Sequence, residues 1–195
     1  NHAYAENGTY TVTLTVTDNQ GATATATATK IVLNRPPVAS FTESATTVYT
    51  YEAITFNATS SYDPDGAIVS YTWNFGDGNV TTLTSPIVTH AYADNGTYTV
   101  ILTVTDNDGA TATATATKNV LNRAPVASFI ESASVVQTGE VITFNASGSY
   151  DLDGFIVSYF WTFGDGTNAT GLVVTHAYAD NGTYVVTLTV TDNDG

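Results

Sequence analysis

No cysteine occurs in the 195 residues, which excludes a disulfide framework and any thiolate metal site. Positive charge is scarce as well: four basic residues stand against eighteen acidic ones, a formal net charge of −14. Nucleic-acid binding and attachment to anionic membranes both need clustered Lys and Arg, so neither fits. No apolar run approaches the roughly 18 residues of a membrane helix, and no signal peptide is recognisable. Methionine is absent too. With neither an initiator nor a leader, a window cut from a longer chain is expected.

Internal repetition is what the sequence does have. His2-Ala3-Tyr4-Ala5-Glu6-Asn7-Gly8-Thr9-Tyr10 returns at His90–Tyr98 and again at His176–Tyr184. Residues 2–35 and 90–123 are identical at 30 of 34 positions. Pro37-Val38-Ala39-Ser40-Phe41 returns at Pro125–Phe129, a shift of 88, and Trp73 returns at Trp161 by the same shift. The expected organisation is the end of one repeat at 1–35, a whole repeat at 36–123, and a repeat at 124–195 that lacks its last strand.

Apolar residues alternate with Thr or other polar residues, the period of half-buried strands. Thr11–Thr17 is the clearest case, followed by the turn Asp18-Asn19-Gln20-Gly21 and the Ala/Thr alternation of Ala22–Thr29. Further strands are expected at Val38–Phe41, Ala53–Asn57, Ile68–Phe75 and Ile87–Tyr92. Six or seven short strands in about 88 residues predict an all-β fold of tandem two-sheet sandwiches. Tyr71, Trp73 and Phe75 share one strand face, so Trp73 is expected between the sheets rather than exposed as a sugar-stacking platform. Val12, Leu14 and Val16 are expected to face a core.

The string Tyr71-Thr72-Trp73-Asn74-Phe75-Gly76-Asp77-Gly78, with His90-Ala91-Tyr92, Gly96-Thr97-Tyr98-Thr99-Val100 and Val104-Thr105-Asp106, resembles the PKD (polycystic kidney disease) domain family. The following repeat carries the same signature as Tyr159–Gly166, His176-Ala177-Tyr178 and Gly182-Thr183-Tyr184. The resemblance implies immunoglobulin-like sandwiches that act as extracellular modules, on cell surfaces or beside the catalytic domains of secreted proteases and chitinases. It implies no catalysis. Gly76 and Gly78 read as turn residues, and Asp77 between them reads as a turn-capping carboxylate rather than an acid catalyst.

Three sets of residues are candidates for modification or binding. Seven Asn-x-Ser/Thr acceptors occur, at Asn7, Asn57, Asn79, Asn95, Asn145, Asn168 and Asn181. The outward face of the Ala/Thr hairpin predicts two Thr columns: Thr11, Thr13, Thr15 and Thr17 beside Thr23, Thr25, Thr27 and Thr29. The second copy has Thr99, Thr103 and Thr105 with Thr111, Thr113, Thr115 and Thr117. Such columns are either solvated strand residues with cross-strand pairing or sites of O-glycosylation.

Finally, Asp63-Pro64-Asp65-Gly66 and its copy Asp151-Leu152-Asp153-Gly154 lack the distal Glu of an EF-hand, so that motif is rejected. The family resemblance implies a different calcium site. Asn34, Asp63, Asp65 and Asp106 would supply its oxygens, and Asn122, Asp151, Asp153 and Asp192 those of the next repeat. The alternative is ordinary Asx turns. Residues 36–123 carry a net −6, which bound divalent ions would relieve. His2, His90 and His176 recur one per repeat and read as structural.

These residues predict no enzyme and no required cofactor; structural calcium is an optional addition. The leading expectation is a glycosylated extracellular rod, stalk or fibre, whose partners are covalent glycans, neighbouring repeats or further copies of itself, and surface proteins or polysaccharide. Accessory modules of a secreted hydrolase form the second reading, and assembly by strand exchange the third. Lys30, Arg35, Lys118 and Arg123, the only basic residues, are expected to fix the joins between repeats by pairing with acidic turns.

Overall fold

A computed structural model describes residues 1–195, and every regular element in it is a β-strand. The first two strands, β1 (Gly8–Thr17) and β2 (Thr23–Val32), make a two-stranded antiparallel hairpin. Six of the next eight are short: β3 (Thr42–Glu43), β4 (Thr47–Tyr49), β5 (Ile54–Asn57), β6 (Ile68–Asn74), β7 (Val80–Leu83) and β8 (Ile87–His90). Two long ones follow, β9 (Gly96–Asp106) and β10 (Thr111–Leu121). The third repeat supplies β11 (Ile130–Glu131), β12 (Ile142–Asn145), β13 (Ile156–Thr162), β14 (Asn168–Thr170), β15 (Val173–His176) and β16 (Thr187–Asp192).

In the middle repeat one sheet has the order β3-β5-β8 and the other β4-β10-β9-β6-β7. The alternation of each strand sends one set of side chains between the two sheets. Ile54 and Phe56 come from the first sheet, and Trp73, Val100, Leu102 and Val104 from the second; all six are fully buried. Phe41 meets the Trp73 ring edge-on at 5.2 Å, and Phe56 lies 5.7 Å from it. The third repeat builds the same arrangement from sheets β11-β12-β15 and β14-β13-β16, with Phe129 edge-on to Trp161 at 5.1 Å. Its core comprises Ile142, Phe144, Trp161, Phe163, Val174, Tyr178 and Leu188.

The chain divides into two compact units. One contains Asn1–Thr47, Ala53–Ala91 and Thr97–Asn119; the other contains Val48–Glu52, Tyr92–Gly96 and Val120–Gly195. The second unit thus includes two short pieces that belong, by sequence, to the middle repeat.

Four expectations need correction. Val38–Phe41 is not a strand: only Val38 pairs, through a single bridge to Tyr62, and the Ser40 N–H goes to the Ser61 hydroxyl instead of to a ladder partner. Ile87–Tyr92 ends as a strand at His90. Val12, Leu14 and Val16 share a face as expected, but they are 45%, 61% and 55% exposed, since no second sheet covers the hairpin. Lys118 does not serve a join: it is fully buried inside the middle repeat and pairs with Glu43.

Candidate functional site

Each sandwich holds the Trp-x-Phe-Gly-Asp-Gly turn tightly. Gly76 has φ of +85°, and a Cβ there would lie 2.7 Å from the Thr99 carbonyl oxygen, so β9 passes too close for any other residue. Asp77 accepts from the Asn79 backbone N–H at 3.0 Å and pairs with His90 Nε2 at 2.7 Å, while His90 stacks on Phe75 at 4.0 Å. Burial pushes the Asp77 carboxyl up, but the Asn79 hydrogen bonds and His90 outweigh it and hold its pKa below the ordinary value. In the third repeat Thr167 is the main cause, with His176 at 2.8 Å also contributing, and the Asp165 pKa falls to about 2. Both Asp residues are thus engaged with the His of the same repeat. His2 packs edge-on against Tyr4 instead.

The two Asp-x-Asp-Gly turns each gather several partly buried polar side chains. In the first, Asn34 Nδ2 donates to Asp106 Oδ2 at 2.9 Å, and the Arg35 backbone N–H donates to Asp65 Oδ2 at 3.1 Å. Asp106, 1% exposed at the end of β9, also accepts from the backbone of Asp108 and Ala110. Asn34 Oδ1 and Asp63 Oδ2 are buried with no donor. Burial, helped by the charges of Asp106 and Asp65, raises the Asp63 pKa, whereas the Asn34 amide lowers that of Asp106.

The second site repeats this chemistry. Asn122 Nδ2 donates to Asp192 Oδ2 at 3.0 Å and the Arg123 N–H to Asp153 Oδ2 at 3.0 Å. Asn122 Oδ1, both Asp151 oxygens and Asp153 Oδ1 are buried without a donor. Burial raises Asp151; on Asp153 it is outweighed by hydrogen bonds from Thr50 and Arg123, which leave that pKa lowered. The Asn122 amide lowers Asp192.

All eight residues named from the sequence therefore fall into two fourfold sets, each joining an Asn, two turn carboxylates and a strand-end Asp. No three His, Cys, Asp or Glu side chains converge as a metal would need them, so the carboxylates alone make no site. The buried acceptors include the Asn Oδ1 in both sets, and the donor set is entirely oxygen. That chemistry fits calcium and not zinc. Nothing at either set offers a nucleophile paired with a base.

Thr50 was not legible as part of this chemistry. Its hydroxyl donates to Asp153 Oδ2 at 2.7 Å, across 103 residues of sequence, and its own Tyr-Thr-Tyr-Glu turn carries no motif. Thr72 and Thr82 were missed as well. Their hydroxyls bond at 2.8 Å, and Thr72 stands opposite Thr103, so the Thr field of the middle repeat extends over β6 and β7. In the hairpin, Thr11, Thr13, Thr15 and Thr17 stand opposite Thr29, Thr27, Thr25 and Thr23, which puts the two columns side by side. Among the sequon residues, Asn57 and Asn145 accept from Thr59 and Ser147 N–H through Oδ1 and cap turns, and Asn79 Nδ2 bonds Asp77. Asn168 and Asn181 are exposed; Asn7 and Asn95 are half-buried.

The second unit also contains a cavity of about 680 Å³ lined by Ser134–Thr138, Phe144, Tyr178, Tyr184 and Val186 among others. The corresponding strands of the middle repeat, β4 and β9, flank β10.

Comparison with known proteins agrees with this architecture. Collagenase ColA of Clostridium perfringens (strain 13 / Type A) is 38% identical over 116 residues, covering 58% of this chain and 10% of that protein. A microbial collagenase of Vibrio alginolyticus is 54% identical over 58 residues, 30% of this chain and 7% of that protein. The chain thus spans a tenth or less of these curated relatives. The PKD1 domain of Vibrio anguillarum Epp, a crystal structure, is 38% identical and covers 45% of this chain and 96% of that one, with a TM-score of 0.39. Residues 1–32, 34–120 and 122–195 each match the family model described as PKD domain, and the chain belongs to that family.

Proposed function

We propose that this segment is a non-catalytic accessory region of a secreted hydrolase, a series of PKD sandwiches that present surfaces to an insoluble substrate outside the cell. The likeness to two collagenases, at 54% and 38% identity, carries this reading. The side chains support it: His90 and His176 are engaged with the turn carboxylates of Asp77 and Asp165. No helix is long and apolar enough to cross a membrane.

Each fourfold set holds one calcium ion in this reading. Asn34, Asp63, Asp65 and Asp106 would hold the first ion, and Asn122, Asp151, Asp153 and Asp192 the second. The ions would satisfy acceptors that have no protein donor and would offset charge in a strongly acidic chain. The direct test is co-sedimentation of the chain with fibrillar collagen and with insoluble polysaccharide. Retention on one of them without release of soluble fragments is expected. Loss of the chain to the supernatant in both cases would remove the accessory reading.

A glycan-coated surface rod is the second reading, favoured by the Thr columns standing in register across β1 and β2 and by the seven sequons. Intact mass of the native molecule before and after glycan removal separates the two: a large loss supports the coat, and a bare polypeptide eliminates it.

A further inference from the structure

The turn Tyr49–Glu52 follows β4 of the middle repeat, yet Val48–Glu52 belongs to the second compact unit. Thr50 in this turn has no exposed surface. Its hydroxyl donates to Asp153 Oδ2 at 2.7 Å, and its carbonyl accepts from Arg123 Nε at 2.9 Å. The backbone N–H of Arg123 donates to the same Asp153 oxygen at 3.0 Å. Three residues thus close a ring of hydrogen bonds, two of them to a carboxylate and one from a guanidinium, which are the strong kind.

The rest of the turn holds Thr50 in place. Tyr49 N–H donates to Glu52 Oε2 at 3.1 Å and Glu52 N–H to the Tyr49 carbonyl at 3.2 Å. Tyr51 between them has φ of 61°, the one non-glycine residue of the chain in the left-handed region, and its N–H donates to the Tyr92 carbonyl at 2.8 Å. Arg123 adds a looser rim, 5.7 Å from the Tyr49 ring centroid and 3.5 Å from Glu52 Oε1. The third repeat contains the same turn at Gln137–Glu140, with matching internal hydrogen bonds and Gly139 at φ of +80°. There Thr138 is exposed. One turn sequence pattern therefore occurs twice, once against an Asn-Arg and Asp-x-Asp-Gly element and once without it.

We propose that Tyr49–Glu52 is a clasp: a part supplied by one sequence repeat that the fold of the next repeat requires, with Thr50 as the residue that recognises Asp153 and Arg123. An apolar residue at position 50 would strip Asp153 Oδ2 of one of its two donors. A bulkier one would not fit a site with no exposed surface. The clasp needs no metal ion, so it stands apart from the calcium reading and is tested in chelator.

Trp73 and Trp161 are the only tryptophans, both fully buried, one in each compact unit, so each reports on one unit. Thermal unfolding of the full chain is followed by fluorescence in a Trp73→Phe background, which leaves Trp161, and in a Trp161→Phe background, which leaves Trp73. Thr50→Val should lower the Trp161 midpoint by roughly 5–10 °C and the Trp73 midpoint by less than about 2 °C, with Thr50→Ser restoring most of the loss. A fall confined to the Trp73 midpoint, an equal fall in both, or no fall overturns the clasp. If the tryptophan variants fail to fold, hydrogen exchange of the otherwise unaltered chain decides. Thr50→Val should then speed exchange in β12 and β13 about tenfold and leave β5 and β6 unchanged; any other pattern overturns the clasp.

Discussion

The hairpin β1–β2 and the strands β9 and β10 are nearly the same sequence in two settings. Val12, Leu14 and Val16 of β1 are roughly half exposed or more, whereas Val100, Leu102 and Val104 of β9 are completely buried. Residues 2–35 and 90–123 differ at four positions, none of them among these valines and leucines, so sequence does not cause the contrast. Its cause is the covering sheet: β9 faces Ile54 and Phe56 across the sandwich, and β1 has no such sheet. Alternation decides which side chains share a face. Only tertiary partners decide whether that face is dry.

Truncating equivalent leucines breaks this comparison most severely. Leu102→Ala should cost about 2–5 kcal/mol by denaturant unfolding, because it leaves a cavity in a closed core. Leu14→Ala, at a residue 61% exposed, should change stability by less than about 0.5 kcal/mol. Similar losses at both positions would mean that the hairpin face is covered in solution. Cation removal comes next: if each fourfold set binds calcium, an ion at 100 times its Kd adds about 2.7 kcal/mol, and a chelator should lower both unfolding midpoints. An unchanged midpoint removes the calcium reading.

A finer contrast separates the two tryptophans. Trp161 Nε1 donates to the Gly171 carbonyl at 2.9 Å, whereas Trp73 Nε1 is buried without a partner. The loop two residues shorter in the third repeat carries that carbonyl. Trp161→Phe should therefore cost about 1 kcal/mol more than Trp73→Phe, measured by urea unfolding of the full chain. The smallest effect is one of pH. Asp165 has its folded pKa lowered to about 2, mainly by Thr167, so its contribution is complete above the unfolded value and vanishes as pH falls through about 2. Asp165→Asn should flatten the acid limb of the midpoint between about pH 4 and 2 and leave the neutral plateau's slope unchanged.

Much of the sandwich was legible because period-two alternation and the Trp-x-Phe-Gly-Asp-Gly turn are local signals. Trp73 and Trp161 were placed correctly between sheets, and the Asn and Asp residues of both fourfold sets were named together. Their hydrogen bonds were not legible, since they join residues 70 and 72 positions apart. Thr50 escaped notice because an isolated Thr in a turn gives no sign of the carboxylate it meets. Lys118 misled for the opposite reason: its charge and its place near the end of a repeat pointed to a join. Its pairing with Glu43, a residue of β3, is set by the strand's inward face.

That buried lysine has a consequence for survival among proteases. Trypsin-like enzymes cut after Lys or Arg in extended, accessible backbone, and this chain offers four such residues in all. Lys118 lies in β10 with its amine out of reach, and Arg123 is engaged with Thr50. Lys30 is exposed but lies in β2, paired to Tyr10, which leaves Arg35, followed by proline, as a poor substrate bond. A folded chain of this composition presents trypsin with almost no place to start.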